Sequence, residues 1–105
     1  MNKDRETANK YRQQALQGDL MAMNNMGVCY AQGIGVVENH ATAFEWYMKA
    51  AEKGDTYACY NVAECYYLGD GVEQDYEKAF HWYIIAAEKG DVQSQVNAAN
   101  AYYLG

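Results

Sequence analysis

Few residues in this sequence could make or break a covalent bond. Ser94 is the sole serine and is followed by Gln95, Val96 and Asn97. The S-x-x-K pairing, in which a lysine helps to activate a serine nucleophile, is therefore missing. His40 and His81 belong to no H-E-x-x-H zinc spacing and to no nearby triad pattern, so each reads as a surface or partly packed histidine. Cys29, Cys59 and Cys65 form no C-x-x-C pair of the kind used by redox and zinc sites. At about 100° per residue, the step from Cys59 to Cys65 turns the two thiols to different sides of one helix. Free, half-buried thiols are expected. Gly33-x-Gly35 and Gly69-x-Gly71 look like pieces of a phosphate loop, but each follows a helical pattern and lacks both a third glycine and a lysine. They read as inter-helix turns. No catalytic residue, metal ligand or cofactor site is expected. What the chain has in abundance is aromatic surface, with 11 Tyr, 2 Trp and 2 Phe.

Composition narrows the class further. A chain of 105 residues with 50% hydrophobic content can bury one modest core, which implies a single domain. The absence of proline and the scarcity of serine leave nothing resembling a disordered linker. A formal net charge of -6 repels a phosphate backbone, so nucleic acid is not an expected partner. The opening residues MNKDRETANK contain no apolar run suited to a signal peptide or a membrane span. The chain thus reads as cytoplasmic, with no membrane partner.

The elements that must position the tyrosines are announced by a repeat. Gly18-Asp19, Gly54-Asp55 and Gly90-Asp91 recur at 54 − 18 = 36 and 90 − 54 = 36. The same offset relates Ala22 to Ala58, Asn25 to Asn61, Cys29 to Cys65, Tyr30 to Tyr66, Gly33 to Gly69 and Gly35 to Gly71. It also relates Phe44 to Phe80, Trp46-Tyr47 to Trp82-Tyr83, and Ala50-Ala51-Glu52-Lys53 to Ala86-Ala87-Glu88-Lys89. Residues 18–53 and 54–89 are therefore two whole units. Residues 1–17, with Tyr11 and Ala15 at the places of Tyr47 and Ala51, read as the second half of an earlier unit. Residues 90–105, which keep Asn97, Tyr102 and Gly105, read as the first half of a later unit, expected to be a truncated one.

Each unit carries two helical stripes. Ala58, Val62, Cys65 and Tyr66 make one, and Ala79, Tyr83 and Ala86-Ala87 make the other, widened by Phe80 and Trp82. Asp19, Asp55 and Asp91 are suited to cap the first helices, and Asn39 and Asp75 the second, because their oxygens accept otherwise unpaired amide protons. Gly18, Gly54 and Gly90 suit the left-handed position that ends a helix. A glycine followed at once by a capping aspartate makes a tight turn, so about six helices should pack antiparallel in an all-α fold. Gly27, Ala63 and Ala99 share one small-residue position where a partner helix approaches closely. Asn25, Asn61 and Asn97, kept in every copy, suggest a structural hydrogen bond.

The unit from Ala58 through Val62-Ala63, Tyr66, Gly69-x-Gly71-Val72, Asp75, Lys78-Ala79, Trp82-Tyr83 and Ala86-Ala87-Glu88 to Gly90 resembles the Sel-1-like repeat, and the unit beginning at Ala22 does so as well. The resemblance covers nearly the whole chain. It implies a right-handed αα-superhelix akin to tetratricopeptide arrays, used as an adaptor in protein complexes. Asn39 and His40 depart from the family's usual aspartate and aromatic, which would alter one loop. Some cysteine-rich relatives staple the end of a second helix to the start of the next first helix; Cys59 matches one of those positions, but Ala51 stands at the other, so the staple is absent.

If the likeness to tetratricopeptide arrays holds, the first helices line a concave wall. The residues facing it would be Met21, Asn24, Val28 and Ala31, then Tyr57, Tyr60, Glu64 and Tyr67, then Gln93, Val96, Asn100 and Tyr103. These positions differ between units while the core positions repeat, and tyrosine offers large contact area with few rotors to freeze. The alternative is that Tyr67 and Tyr103 simply pack on neighbouring helices. No lysine or arginine occurs in 19–32, 55–68 or 91–104, which removes a cationic clamp for carboxylates. The expected partner is a protein or peptide, neutral or basic, with apolar anchors. Ala98, Ala101, Tyr102 and Leu104 would need a further helix to cover them, supplied by a longer array or by self-association. The competing readings are an enzyme or small-ligand receptor, for instance for cell-wall fragments, and a structural spacer in a longer repeat protein.

Overall fold

The computed structural model describes residues 2–90. Over that range it contains five helices, α1 (Asn2–Leu16), α2 (Leu20–Gln32), α3 (His40–Glu52), α4 (Thr56–Leu68) and α5 (Tyr76–Glu88), and no strand. The sixth expected helix, with Asp91, Asn97 and the apolar residues that follow, lies outside the described residues.

Capping chemistry sets the helix starts. The side chains of Asp19 and Asp55 accept the amides of Ala22 and Ala58 at 3.1 and 2.9 Å. Asn39 and Asp75 do the same for Thr42 and Lys78, both at 3.1 Å. Asn39 therefore performs the aspartate's task, and the first unit's departure at this position leaves the helix start intact. The ends are equally regular. Gly33 and Gly69 both close their helices in the left-handed conformation at φ 69°, and their amides donate to Cys29 and Cys65. The long loops are then tied back, as Asn39 N donates to the Tyr30 carbonyl at 2.8 Å and Asp75 N to that of Tyr66 at 2.9 Å. Gly18, Gly54 and Gly90 take φ values of 96°, 98° and 97°, and the first two make the tight reversals that carry α1 into α2 and α3 into α4.

Each helix packs chiefly on its neighbours in sequence, and the chain extends over 47 × 23 × 18 Å, as a solenoid does. The core is built largely from small side chains: Ala22, Ala43, Ala50, Ala58, Ala63, Ala79 and Ala86 are all buried, around Met26, Cys59 and Val62. Small residues let the helix axes draw together, and large rings then fill the remaining seams. At Gly27 an added Cβ would overlap the buried ring of Tyr47. Phe44 of α3 meets Tyr66 of α4 edge to face, with centroids 5.2 Å apart, and so joins the two units.

The joint between units is closer still at the backbone. A Cβ on Gly71 would overlap the carbonyl of His40 at the start of α3, and one on Gly35 would overlap the carbonyl of Asp4 in α1. Asp4 and His40 are themselves 36 residues apart, so the second glycine of each loop meets the preceding unit at one repeated place. Gly18 also has a positive φ, yet nothing lies within 4 Å of its missing Cβ. We therefore expect Gly71→Ala to cost about 3 kcal/mol from strain and backbone overlap together. Gly18→Ala, which pays only the left-handed conformation, should cost about 1 kcal/mol. Urea unfolding of the two variants measures the difference, and equal losses would contradict the joint's role.

Candidate interaction surface

Helices α2 and α4 occupy equivalent places in successive units, and their second residues are large, apolar and exposed. Met21 and Tyr57, related by the 36-residue offset, are each 63% exposed. Further along α4, Glu64 is half-buried, while Tyr67 and Leu68 are exposed. Val28 and Ala31 of α2 are half-buried; Val28 packs against the core at its edge. Tyr57, Asn61, Glu64 and Leu68 follow one another at intervals of four, three and four and so share one side of α4. The structure thus brings Met21, Tyr57, Glu64 and Tyr67 to accessible positions. Gln93, Val96, Asn100 and Tyr103 lie outside the described residues.

Asn24 and Tyr60 stand differently. Asn24 is buried, and its side-chain oxygen accepts a 2.8 Å hydrogen bond from Asn61 Nδ2 of the following unit. The repeated asparagine at position 61 thus makes a bond to structure, across the seam and not within its own unit. Tyr60, at Asn24's place one period later, is half-buried and has its ring 5.9 Å from that of Tyr83. From there the aromatic contacts continue: Tyr67 lies 6.4 Å from Tyr83 and 5.2 Å from Tyr76, and Tyr76 stacks on Phe80 at 6.3 Å with planes 13° apart. Offset and edge-on ring pairs of this kind hold each other's orientation. Tyr67 therefore packs on a neighbouring helix and remains 42% exposed.

A cavity of about 110 Å³ opens between the two units, lined by residues of α2, α3 and α4 and by Asp70 of the following loop. His40 stands at its edge, Nδ1 being 2.7 Å from Asp70 Oδ1 and Nε2 3.2 Å from Glu38 Oε2. All three side chains are well exposed, so these pairs orient the loop more than they stabilise the fold. Among the described residues no cluster of three or more histidine, cysteine or acidic side chains is arranged to hold a metal, and no helix is long and apolar enough to cross a membrane. Sequence inspection singled out neither Asn61, Leu68 and Asp70 as a group nor the pairing of His40. The available signal was the exchange of Tyr67 for Ala31 and of Tyr76 for His40 between the two units.

The profile of the Sel1 repeat matches residues 20–55 and again 56–91. The chain belongs to the Sel1 repeat family. Solved structures agree. The chain is similar to a Sel1 repeat protein from Oxalobacter formigenes, at 34% identity and a TM-score of 0.76, over 78% of this chain and 34% of that one. It is similar to a protective antigen present in uropathogenic Escherichia coli strains that displays an SLR fold, at 39% identity and a TM-score of 0.80, over 83% and 19% of the two chains. Helicobacter pylori cysteine rich protein B shares the fold at 20% identity, with a TM-score of 0.79 over 83% of this chain and 65% of that one. This chain therefore spans less than two thirds of each of those proteins. No curated protein matches it. Sel1 repeats are in general non-catalytic protein-interaction scaffolds.

The three cysteines of these Sel1 repeats are free and buried. Cys59 Sγ lies 3.7 Å from the carbonyl of Ala51, the residue at the other staple position. Burial raises all three thiols; for Cys65 burial, followed by the charges of Asp70 and Glu64, pushes the group up to about 12. Tyr47 is likewise pushed up to about 12, by burial first and then by Cys65, Asp70 and Cys29. A folded chain that holds these protons more tightly than the unfolded chain has its full stability below the ordinary thiol range near 9.0 and loses it as pH rises towards about 12. The urea midpoint should fall across that alkaline window and fall less steeply in Cys65→Ala. A flat wild-type profile would contradict this.

Proposed function

We propose that the chain is a protein-binding scaffold that lays a neutral or basic partner segment across its first helices. One observation carries this reading: Met21 and Tyr57, at the same register position on α2 and α4, each leave 63% of their surface to solvent. Large apolar side chains repeated on one side of a rigid array make an anchor row, and few rotors need freezing when a partner lands on tyrosine. Glu64 and Tyr67 extend the row along α4, with Val28 at its edge. Tyr60 and Asn24 serve the seam beneath it. The lack of lysine and arginine in α2 and α4, against a net charge of -6, favours a partner carrying positive or no charge.

Because Met21 and Tyr57 are exposed, truncating them should alter stability by less than about 0.5 kcal/mol. Recovery of bound proteins by the immobilised chain should nevertheless drop about tenfold in Met21→Ala/Tyr57→Ala, the loss expected when an interface anchor is removed. Undiminished recovery would rule out this surface. Binding of an acidic peptide as tight as that of its basic counterpart would overturn the charge preference.

A further inference from the structure

The cavity between the units lies where the first unit carries smaller side chains than the second. In the second unit Tyr67 and Tyr76 lie 5.2 Å apart. Their counterparts in the first unit are Ala31 and His40, and both line the cavity. Helix α4 packs over this place, since Asn61 bonds to Asn24 and Tyr66 meets Phe44, but its side chains do not fill the space left by the alanine. A volume of about 110 Å³ remains. One water occupies about 30 Å³ of the liquid, so the space suits a head group of a few heavy atoms.

The lining specifies what kind of head group. Ala31, Ala43 and Leu68 offer apolar walls and Tyr47 a ring, whereas Asn61, Glu64 and Asp70 offer oxygen acceptors. No lysine or arginine is among the lining residues. Glu64 and Asp70 both act on the Cys65 thiol, and Asp70 also acts on Tyr47, so their negative field extends into the space. His40 occupies one side of Asp70, and Glu64 takes a hydrogen bond from Tyr83. Each carboxylate has further lone pairs available, because an ionised carboxyl accepts at both oxygens. Leu68, 63% exposed, stands at the mouth on the same side of α4 as Tyr57.

We propose that this cavity receives the cationic side chain of an arginine or lysine from the bound protein segment, with its methylenes against Ala31 and Leu68 and its charged end between Glu64 and Asp70. The inference rests on the partner-binding reading above and gives it a specificity pocket. A planar guanidinium matches two carboxylates through paired, charge-assisted hydrogen bonds and finds an aromatic neighbour in Tyr47. An anion would meet the like charges of Glu64 and Asp70, and a neutral head would leave them uncompensated.

The probe is N-acetyl-arginine amide, titrated into the full chain and followed by backbone amide shifts, with N-acetyl-citrulline amide as the uncharged control of the same shape. The arginine amide should shift the signals of Ala31, Asn61 and Glu64, and citrulline should bind about tenfold more weakly, since hydrogen bonds to charged groups are the stronger ones. Ala31→Tyr, which restores the residue found one period later, should abolish the shifts. Glu64→Gln, which keeps the volume, should weaken them about tenfold. Equal binding of citrulline, or unchanged shifts in a folded Ala31→Tyr chain, would overturn the proposal; should that variant fail to fold, Glu64→Gln decides. A protein partner lost by Met21→Ala/Tyr57→Ala but retained by both Ala31→Tyr and Glu64→Gln would sink the pocket and leave the surface standing.

Discussion

Successive units in this chain touch at the main chain, where the second glycine of each long loop lies against the first turn of the preceding unit's second helix. No side chain could soften that contact, because a single Cβ at Gly35 or Gly71 would overlap a carbonyl group. The positive φ of both residues and their closeness to the neighbouring backbone point to the same amino acid, so the loop and the stacking are solved together. Everything further out depends on that contact. It fixes how far α4 sits from α2 and α3, and so allows Asn61 to reach Asn24 and Tyr66 to reach Phe44.

Much of this was legible because its chemistry is local. The capping oxygens of Asp19, Asn39, Asp55 and Asp75 act on amides three residues away, and the glycines that close α2 and α4 answer a conformational demand of their own position. Such features are written within a few residues and repeat every 36. The sidedness of the variable residues was less legible. A position that differs between copies can face solvent, or it can face a seam where each unit meets a different neighbour. Asn24 belongs to the second kind, and nothing in its own neighbourhood marks it; its partner is 37 residues along the chain. Tyr57 belongs to the first, and the two differ only by position around the helix.

The cavity shows the same limit in another form. Ala31 and Tyr67 are unremarkable separately, and only their equivalence makes the smaller one informative. A period shows which residues correspond, but the missing volume appears only once α4 is placed against α2. The pairing of His40 with Asp70 is hidden in the same way, since the second unit has Tyr76 and the first has Ile34 at the corresponding places.

Because each joint is made from the loop of one unit and the helix start of the unit before it, neither half is complete within a single period. A duplication or deletion of 36 residues returns the second glycine of each long loop to a carbonyl of the preceding unit. An insertion of any other length between Asp4 and Gly35, or between His40 and Gly71, leaves two neighbouring units out of phase. Growth of such an array by whole periods therefore keeps these joints, while the smaller insertions that surface loops accept leave them intact only where they fall after the second glycine of a long loop.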